Sequence, residues 1–337
     1  MAAMQVVTQQ TTETVQRGVR PFDLRRDLRP VARLIADAFA DELDEQGKAA
    51  LRELRILGHM GGLIRLLTPT SNEFQDVFNG FVWIEDGRLV GNVTVQRAAN
   101  GSGRWQIANV AVDPAYRGRG IARALMQTAL DYIADMGGSW AVLQVREQNE
   151  IARGLYERMG FENLGGSVEM TVARRPRVAL LPRLPGLAPF SAGESNLLYD
   201  LAVSQGSPEN QWWRSARRDD FYIPLEQRVG EWLNQAIGRE RIIRAAVRDF
   251  KSRFEAATVI TARKWRGVHQ VRLWVRPEAR ERYEEPLILW ALATLEAYPA
   301  WPVEVRLNTA QERARQALAA LGFQTKTVLL TMRRSIR

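Results

Sequence analysis

The sequence predicts a mixed α/β protein, α+β in its sheet pattern, built from two copies of one unit. Three observations carry this reading. The chain has 337 residues, enough for two domains at roughly 100–200 residues each. Each half shows hairpin-type strands followed by strand–helix–strand–helix–strand. The ends of the two halves also match residue by residue, the mark of an internal repeat. Val145-Arg146 and Val305-Arg306 each lead into a helix. Those helices end in Met159-Gly160-Phe161 and Leu321-Gly322-Phe323. A Thr-containing terminal strand ending in an Arg pair follows each, Met170–Arg175 and Leu330–Arg334. Val112-Asp113-Pro114 likewise matches Val275-Arg276-Pro277.

The elements follow in order. Val19–Phe22 reads as a first strand, and Asp27–Asp41 as a helix with Val31, Ile35 and Phe39 on one face. A second helical stretch covers Lys48–Leu57, with Gly58 as its stop. Phe81–Glu85, the Asp86-Gly87 turn and Leu89–Gln96 form a hairpin, and Trp105–Val112 is the next strand. Arg119–Met136 is a helix with Ile121, Leu125, Ala129 and Ile133 at helical spacing, ended by Gly137-Gly138. Ala141–Val145 is a strand, Asn149–Met159 a short helix stopped by Gly160, and Val168–Ala173 a last strand. Prolines at 176, 182, 185 and 189 mark a connector. Beyond it, helices are expected at Asn196–Val203, Pro224–Ala236, Pro286–Ala297 and Gln311–Ala320. Strands are expected at Ile242–Val247, Ala256–Thr261, Val271–Val275, Val303–Arg306 and Val328–Met332. The domain expectation is therefore a loose tail (1–17), a first domain (18–175), a Pro-rich linker (176–190) and a second domain (191–337).

Composition narrows the chemistry. Hydrophobic residues are 46% and charged residues 25% of the chain, which is globular and not disordered. Cysteine is absent, so disulfide scaffolds, thiolate zinc sites and a cysteine nucleophile are excluded. Two histidines, His59 and His269, do not make a His-rich metal site, and no metal is expected. No apolar run reaches the roughly 18 residues of a membrane span. Met1–Gln16 is polar and lacks a signal-like apolar core, so a cytoplasmic protein is expected. The net charge is +9, and all of the excess lies beyond residue 175. Arg263–Arg282 is read as a solvated basic face, with no nucleic-acid motif beside it.

One segment carries chemistry. In Asn109–Ala122 a strand ends, a Pro turn follows, and Gly118 and Gly120 open a helix. The glycines let backbone approach a ligand. Amides at the helix start point outward with the positive end of the dipole behind them. Arg117 and Arg119 add charge, which suits a pyrophosphate. The run is not a Walker loop, because no Gly-Lys-Ser/Thr follows, and its glycine spacing is not the dinucleotide fingerprint. Taken alone, a tight turn explains it as well. A second segment adds weight: Asn149 stands where an N-cap belongs, and Tyr156, two turns on, shares nearly its helix face.

Together these segments resemble the GNAT superfamily of acetyl-CoA-dependent N-acetyltransferases. The family's Q/R-x-x-G-x-G/A signature matches Arg117-Gly118-Arg119-Gly120-Ile121-Ala122, and its second signature matches Asn149, Ala152, Leu155-Tyr156 and Gly160-Phe161. The resemblance covers about residues 18–175 and implies two tandem GNAT (acyl-CoA N-acyltransferase) domains. It implies that the Arg117, Gly118, Arg119, Gly120, Ile121 and Ala122 amides hold the pyrophosphate of acetyl-CoA, the cosubstrate. Val110, Ala111 and Val112 would line the pantetheine arm, Asn149 would touch it, and Tyr156 would protonate the departing thiolate. A backbone amide near Val112 would serve the oxyanion. The acceptor is a primary amine, only about one part in a thousand neutral at pH 7 for a pKa near 10.4. Transfer is expected to be direct, in a ternary complex.

The sequence also departs from the family. Many relatives place a Glu base where Gln144 stands, and an amide is no base. Asp37, Asp41, Glu42 and Glu85 are alternative carboxylates, each read first as a surface acid, and no base is assigned. In the second copy Arg280-Glu281-Arg282-Tyr283-Glu284-Glu285 occupies the cradle position, and Leu318 the position of Tyr156. That copy is expected to be degenerate, without acetyl-CoA, and to wall the acceptor cleft. Its tryptophans, Trp212 and Trp213 among them, are read as core or as lining for that cleft. The fused pair suggests a monomer that is its own pseudo-dimer, and leans towards a small-molecule acceptor over a protein amino terminus. A non-catalytic acetyl-CoA-binding or sensing protein is the alternative. Membrane and nucleic acid are not expected partners.

Overall fold

The computed structural model describes residues 17–38, 79–97, 103–179, 182–205 and 240–336. The helices expected at Lys48–Leu57 and Pro224–Ala236 lie outside them, as do Asp41, Glu42, Trp212 and Trp213. The chain divides into two compact units, Met1–Leu143 with Arg333–Arg337, and Gln144–Met332.

In the first unit β1 (Arg17–Pro21), β2 (Gly80–Glu85), β3 (Arg88–Arg97) and β4 (Arg104–Val112) form an antiparallel ladder in chain order. β5 (Trp140–Arg146) starts in this unit, parallel to β4. The β2–β3 turn has positive φ at both Asp86 (48°) and Gly87 (74°), as a tight hairpin requires. Two helices take opposite faces, because successive strand residues point opposite ways. α1 (Leu24–Ala38) sets Val31 against Val82 and Ile84. α2 (Ile121–Asp135) sets Tyr132 edge-on to Phe81 at 5.6 Å. Ile121 and Leu125 of α2 lie so close over Gly91 that a Cβ there would stand 2.9–3.0 Å from them. Arg20 grips buried Asp27 through two hydrogen bonds of 2.6 and 2.7 Å, tying β1 to α1.

The second unit receives the end of β5, then α3 (Glu150–Arg158) and β6 (Glu162–Val172). It then repeats the order of the first half: β7 (Leu187–Pro189), α4 (Ser195–Gln205), β8 (Glu240–Arg248), β9 (Phe254–Arg263), β10 (His269–Val275), α5 (Arg280–Thr294), β11 (Val303–Asn308), α6 (Glu312–Ala320) and β12 (Gln324–Ser335). The pairings repeat too, with β7–β8–β9–β10 antiparallel and β10–β11 parallel. The end of the expected linker is thus a strand, with Pro189 at its terminus, where the ladder tolerates proline. α5 begins six residues before the expected Pro286, which lies inside it.

The terminal strands are exchanged. β6, the last strand of the first copy, pairs antiparallel with β11 of the second copy, Val303 opposite Val172. β12 has β6 and β5 as neighbours. Glu147 N–H donates to Val328 O at 2.9 Å in the second unit, and Ile336 N–H to Ser139 O at 3.0 Å in the first. Both β5 and β12 therefore pass through both units. The units divide at residue 143 and again at 332, whereas the sequence repeat divides at the Pro-rich connector, because the strands that end the copies bond across the repeat.

Candidate active site

The first unit's site starts with an irregular strand. β3 and β4 pair as Gly91 with Val112 and Asn92 with Ala111, then resume at Thr94 with Ala108. Asn109 and Val110 together oppose one residue, Val93, which makes a β-bulge. Asn109 sits at φ 52°, a conformation that asparagine tolerates better than most side chains. The buried Asn92 donates its Nδ2 to Asn109 O at 2.9 Å. Asn109 Nδ2 reaches Thr94 Oγ1 at 3.3 Å. On the other side, the β4–β5 register ends at Gln106 opposite Val142, and β4 runs on to Val112 past that point. Ala111 and Val112 are buried and Val110 is half-buried.

A short turn, Pro114–Tyr116, follows, with Asp113 Oδ1 accepting Ala115 N–H at 2.9 Å. Arg117 Nε donates back to Val112 O at 3.2 Å, and Arg119 donates to Ala115 O at 3.3 Å. The Arg119 guanidinium also stacks over the Tyr116 ring at 4.9 Å. Both arginines therefore brace the loop as well as charging it. Gly118 and Gly120 have φ of 77° and 79°, and a Cβ on either would meet nothing within 4 Å among the described residues. The glycines are needed for the left-handed turn, and no described residue fills the space above them. The first helical bond of α2 is Ala124 N–H to Gly120 O at 3.0 Å. The amides before it, Gly118 to Arg123, have no acceptor among the described residues. Six donors at the positive end of a 15-residue helix, beside two guanidiniums, are an arrangement that can accept an anion.

In the second unit, Asn149 caps α3 as expected, its Oδ1 accepting Ala152 N–H at 3.1 Å. Its Nδ2 has no hydrogen-bond partner among the described residues. Tyr156 is buried, 6.0 Å from the Phe161 ring. Burial alone pushes its pKa up to about 12, so the phenol keeps its proton throughout the working pH range. Gln144 is exposed on β5. Of the carboxylates considered as bases, Asp37 is an exposed residue of α1. Glu85 is buried, accepts the Trp83 indole N–H at 2.8 Å and pairs with Arg17 at 3.3 Å, which makes it part of the scaffold.

The repeat's own cradle position looks different. Arg280–Glu285 is helical from its first residue, so the loop of the first half has no counterpart. Glu284, 1% exposed, accepts Ala314 N–H at 3.1 Å and Gln311 Nε2 at 3.4 Å at the start of α6. Glu281 pairs with Arg313, and Arg280 donates to Ala310 O at 3.0 Å. Leu318 is fully buried at the position matching Tyr156. Asn149 stands at the cap that the sequence predicts, whereas the bulge and the Asn92 contact have no counterpart among the predicted features. The signal for the bulge was one extra residue in β4, between Ile107 and Val112, against the corresponding stretch Val271–Val275.

A bulged strand, a glycine turn and a helix start whose amides have no acceptor among the described residues are set in strand ladders of repeated order. Residues 50–161 match the family model described as Acetyltransferase (GNAT) family, so the chain carries a GNAT-family segment there. The N-alpha-acetyltransferase RimI of Mycobacterium tuberculosis is 36% identical over 80 residues, 23% of this chain and 49% of that protein. A mycothiol acetyltransferase of Nocardiopsis dassonvillei is 31% identical over 153 residues, 42% of each chain. The chain thus spans half or less of the length of these relatives. Two solved structures share the fold across nearly the whole chain. A GCN5-related N-acetyltransferase from Sphaerobacter thermophilus has a TM-score of 0.55 at 16% identity, covering 96% of both chains. A tandem GNAT protein from the clavulanic acid biosynthesis pathway has 0.54 at 15% identity, covering 95% of this chain and 99% of the other.

Proposed function

We propose that this protein is an N-acetyltransferase that moves the acetyl group of acetyl-CoA directly to a primary amine. The observation that carries the proposal is the run of amides from Gly118 to Arg123 with no acceptor among the described residues. Pyrophosphate supplies the missing acceptors, and each hydrogen bond to a charged group is worth about 1.5–3 kcal/mol. Arg117 and Arg119 add positive charge at the same place, and the open space above Gly118 and Gly120 admits the phosphates. Val110, Ala111 and Val112 offer backbone groups of the bulged strand to the pantetheine arm and to the thioester oxygen. Asn149 adds its Nδ2.

Tyr156 is the proposed proton donor to the departing sulfur, on the strength of the second sequence signature. Its raised pKa keeps the donor neutral and protonated. A thiol's reference pKa is about 8.5, so full transfer from a phenol near 12 is uphill by roughly 5 kcal/mol. Tyr156 therefore donates a hydrogen bond to the sulfur as the C–S bond breaks, and hands its proton over only as the proton lost by the amine replaces it through water, so that the thiol and a neutral phenol are left. No side chain is assigned as base. Gln144 cannot take a proton, and water carries it from the amine.

The acceptor we favour is a small-molecule amine. The match to a mycothiol acetyltransferase runs over 153 residues, whereas that to RimI, an N-alpha-acetyltransferase, covers 80. Among the described residues no helix is long and apolar enough to cross a membrane. The pairing of β6 with β11 inside one chain supports a monomer. Two measurements test the proposal. Calorimetry is expected to show one acetyl-CoA per chain. CoA release, read with a thiol reagent across small amines and amino-terminal peptides, is expected with at least one small amine; the chain has no cysteine to react. Binding without turnover across the whole panel would favour a sensor, and no binding would end the proposal.

A further inference from the structure

We propose that Asn92 is a positioning residue for acetyl transfer: its side-chain amide props the Asn109–Val110 bulge and so sets where the backbone of Val110–Val112 stands. The inference rests on the acetyltransferase reading. Asn92 is 2% exposed, and a buried amide without a partner is costly. Its partner is the carbonyl of the one residue of β4 with positive φ, Asn109 O at 2.9 Å. A left-handed asparagine in a strand is strained and needs support from its surroundings. It has two props from β3, Asn92 on its carbonyl and Thr94 Oγ1 on its side chain at 3.3 Å.

The second half of the same chain is a natural control. There Ala257 stands opposite Trp274, as Asn92 stands opposite Ala111. The β9–β10 register runs without a break from Gln270–Thr261 to Val275–Ala256. Between Val271 and Val275 lie three residues, and between the matching Ile107 and Val112 lie four. The half with the amide has the bulge, and the half with alanine has neither the bulge nor the extra residue. A bulge turns backbone donors and acceptors out of the ladder. Where those donors face a reacting carbonyl, a misplacement of about 1 Å costs about 100-fold in rate.

The test uses the full chain and the best amine found by CoA release. Asn92→Ala is expected to lower kcat by about 10- to 100-fold while calorimetric affinity for acetyl-CoA falls by less than about tenfold, because the arm contacts of Val110–Val112 shift but the cradle amides are untouched. A chain lacking Asn109 is expected to show a similar loss, and Asn92→Ala is expected to add less than about twofold on top of it, since both changes remove one device. Asn92→Asp, which keeps the shape, guards against a folding defect. Only its protonated carboxyl can donate to Asn109 O, so its rate is expected to rise relative to wild type as pH falls. A kcat within twofold of wild type in Asn92→Ala, additive losses in the double variant, or an unshifted pH profile in Asn92→Asp would each overturn the role of Asn92 and leave the acetyltransferase reading intact. Failure of the wild type to bind acetyl-CoA would remove that reading and this inference with it.

Discussion

The two copies share an order of elements and part company at the start of one helix. In the first, α2 begins at Ile121 after a left-handed Gly120, and six amides face outward without acceptors among the described residues. In the second, α5 begins four positions earlier in the repeat, at Arg280, and acids take the places of Gly118, Ile121 and Ala122. One of them, Glu284, spends its carboxylate on Ala314 N–H of the next helix. The comparison teaches that a helix start is a demand for negative charge that either a ligand or the protein can meet. The second copy meets it internally, and Glu284 thereby ties α5 to α6.

The sharpest way to break this contrast is to write the second copy's residues into the first. The double variant Gly118→Glu with Gly120→Tyr places a carboxylate in the cradle and a Cβ at a φ of 79°. Calorimetry is expected to show acetyl-CoA affinity reduced by at least about 100-fold, as charge-assisted hydrogen bonds are lost to repulsion. Tyr156→Phe comes next. It is expected to cut kcat by about 100-fold or more with acetyl-CoA affinity kept. Because the Tyr156 phenol is held up at about 12, any basic limb of the rate profile below pH 11 belongs to another group and is expected to persist in Tyr156→Phe.

Glu284 sharpens the comparison from the other side. Glu284→Leu leaves Ala314 N–H without its acceptor and is expected to cost about 1–3 kcal/mol in denaturant unfolding, with no acetyl-CoA site gained. Burial raises the Glu284 pKa, so the folded state holds this proton more tightly than the unfolded state does. Stability from this group is therefore greatest at low pH and falls as pH rises from its unfolded value through its raised folded value. Glu284→Gln is expected to flatten that slope while keeping an acceptor oxygen. The smallest effect concerns His269, fully buried, with Nδ1 accepting Arg263 N–H at 3.0 Å and Nε2 donating to Pro299 O at 2.8 Å. Those bonds fix the neutral tautomer, and burial first, then Arg175 and Arg263, lower its pKa. Its contribution is fully present above about pH 6.5 and is lost as pH falls from there towards the lowered folded value. His269→Gln is expected to remove that part of the acid sensitivity in thermal melts.

Much of this architecture could be read from residue order. Strand alternation gave β2, β3 and β4 within about two residues, and Asn149 was placed as a cap because a short polar acceptor before an apolar period has that use. Three features stayed hidden for physical reasons. Pro286 looked like a helix start, yet α5 runs through it, with Arg280 and Glu281 tied to Ala310 and Arg313 ahead of it. The bulge is one inserted residue, and insertion shifts a β pattern without announcing where the extra residue goes. The strand exchange was invisible for the very reason that the repeat was visible. Met170-Thr171 and Leu330-Thr331 present similar edges, so nothing local says which copy each will complete.

That exchange also bears on how the protein comes into being. Ile336 N–H closes on Ser139 O, so the leading half takes a backbone bond from a residue synthesised long after its own copy. Until β12 has been made, the edge of β5 has no such neighbour, and the early half waits on the late one.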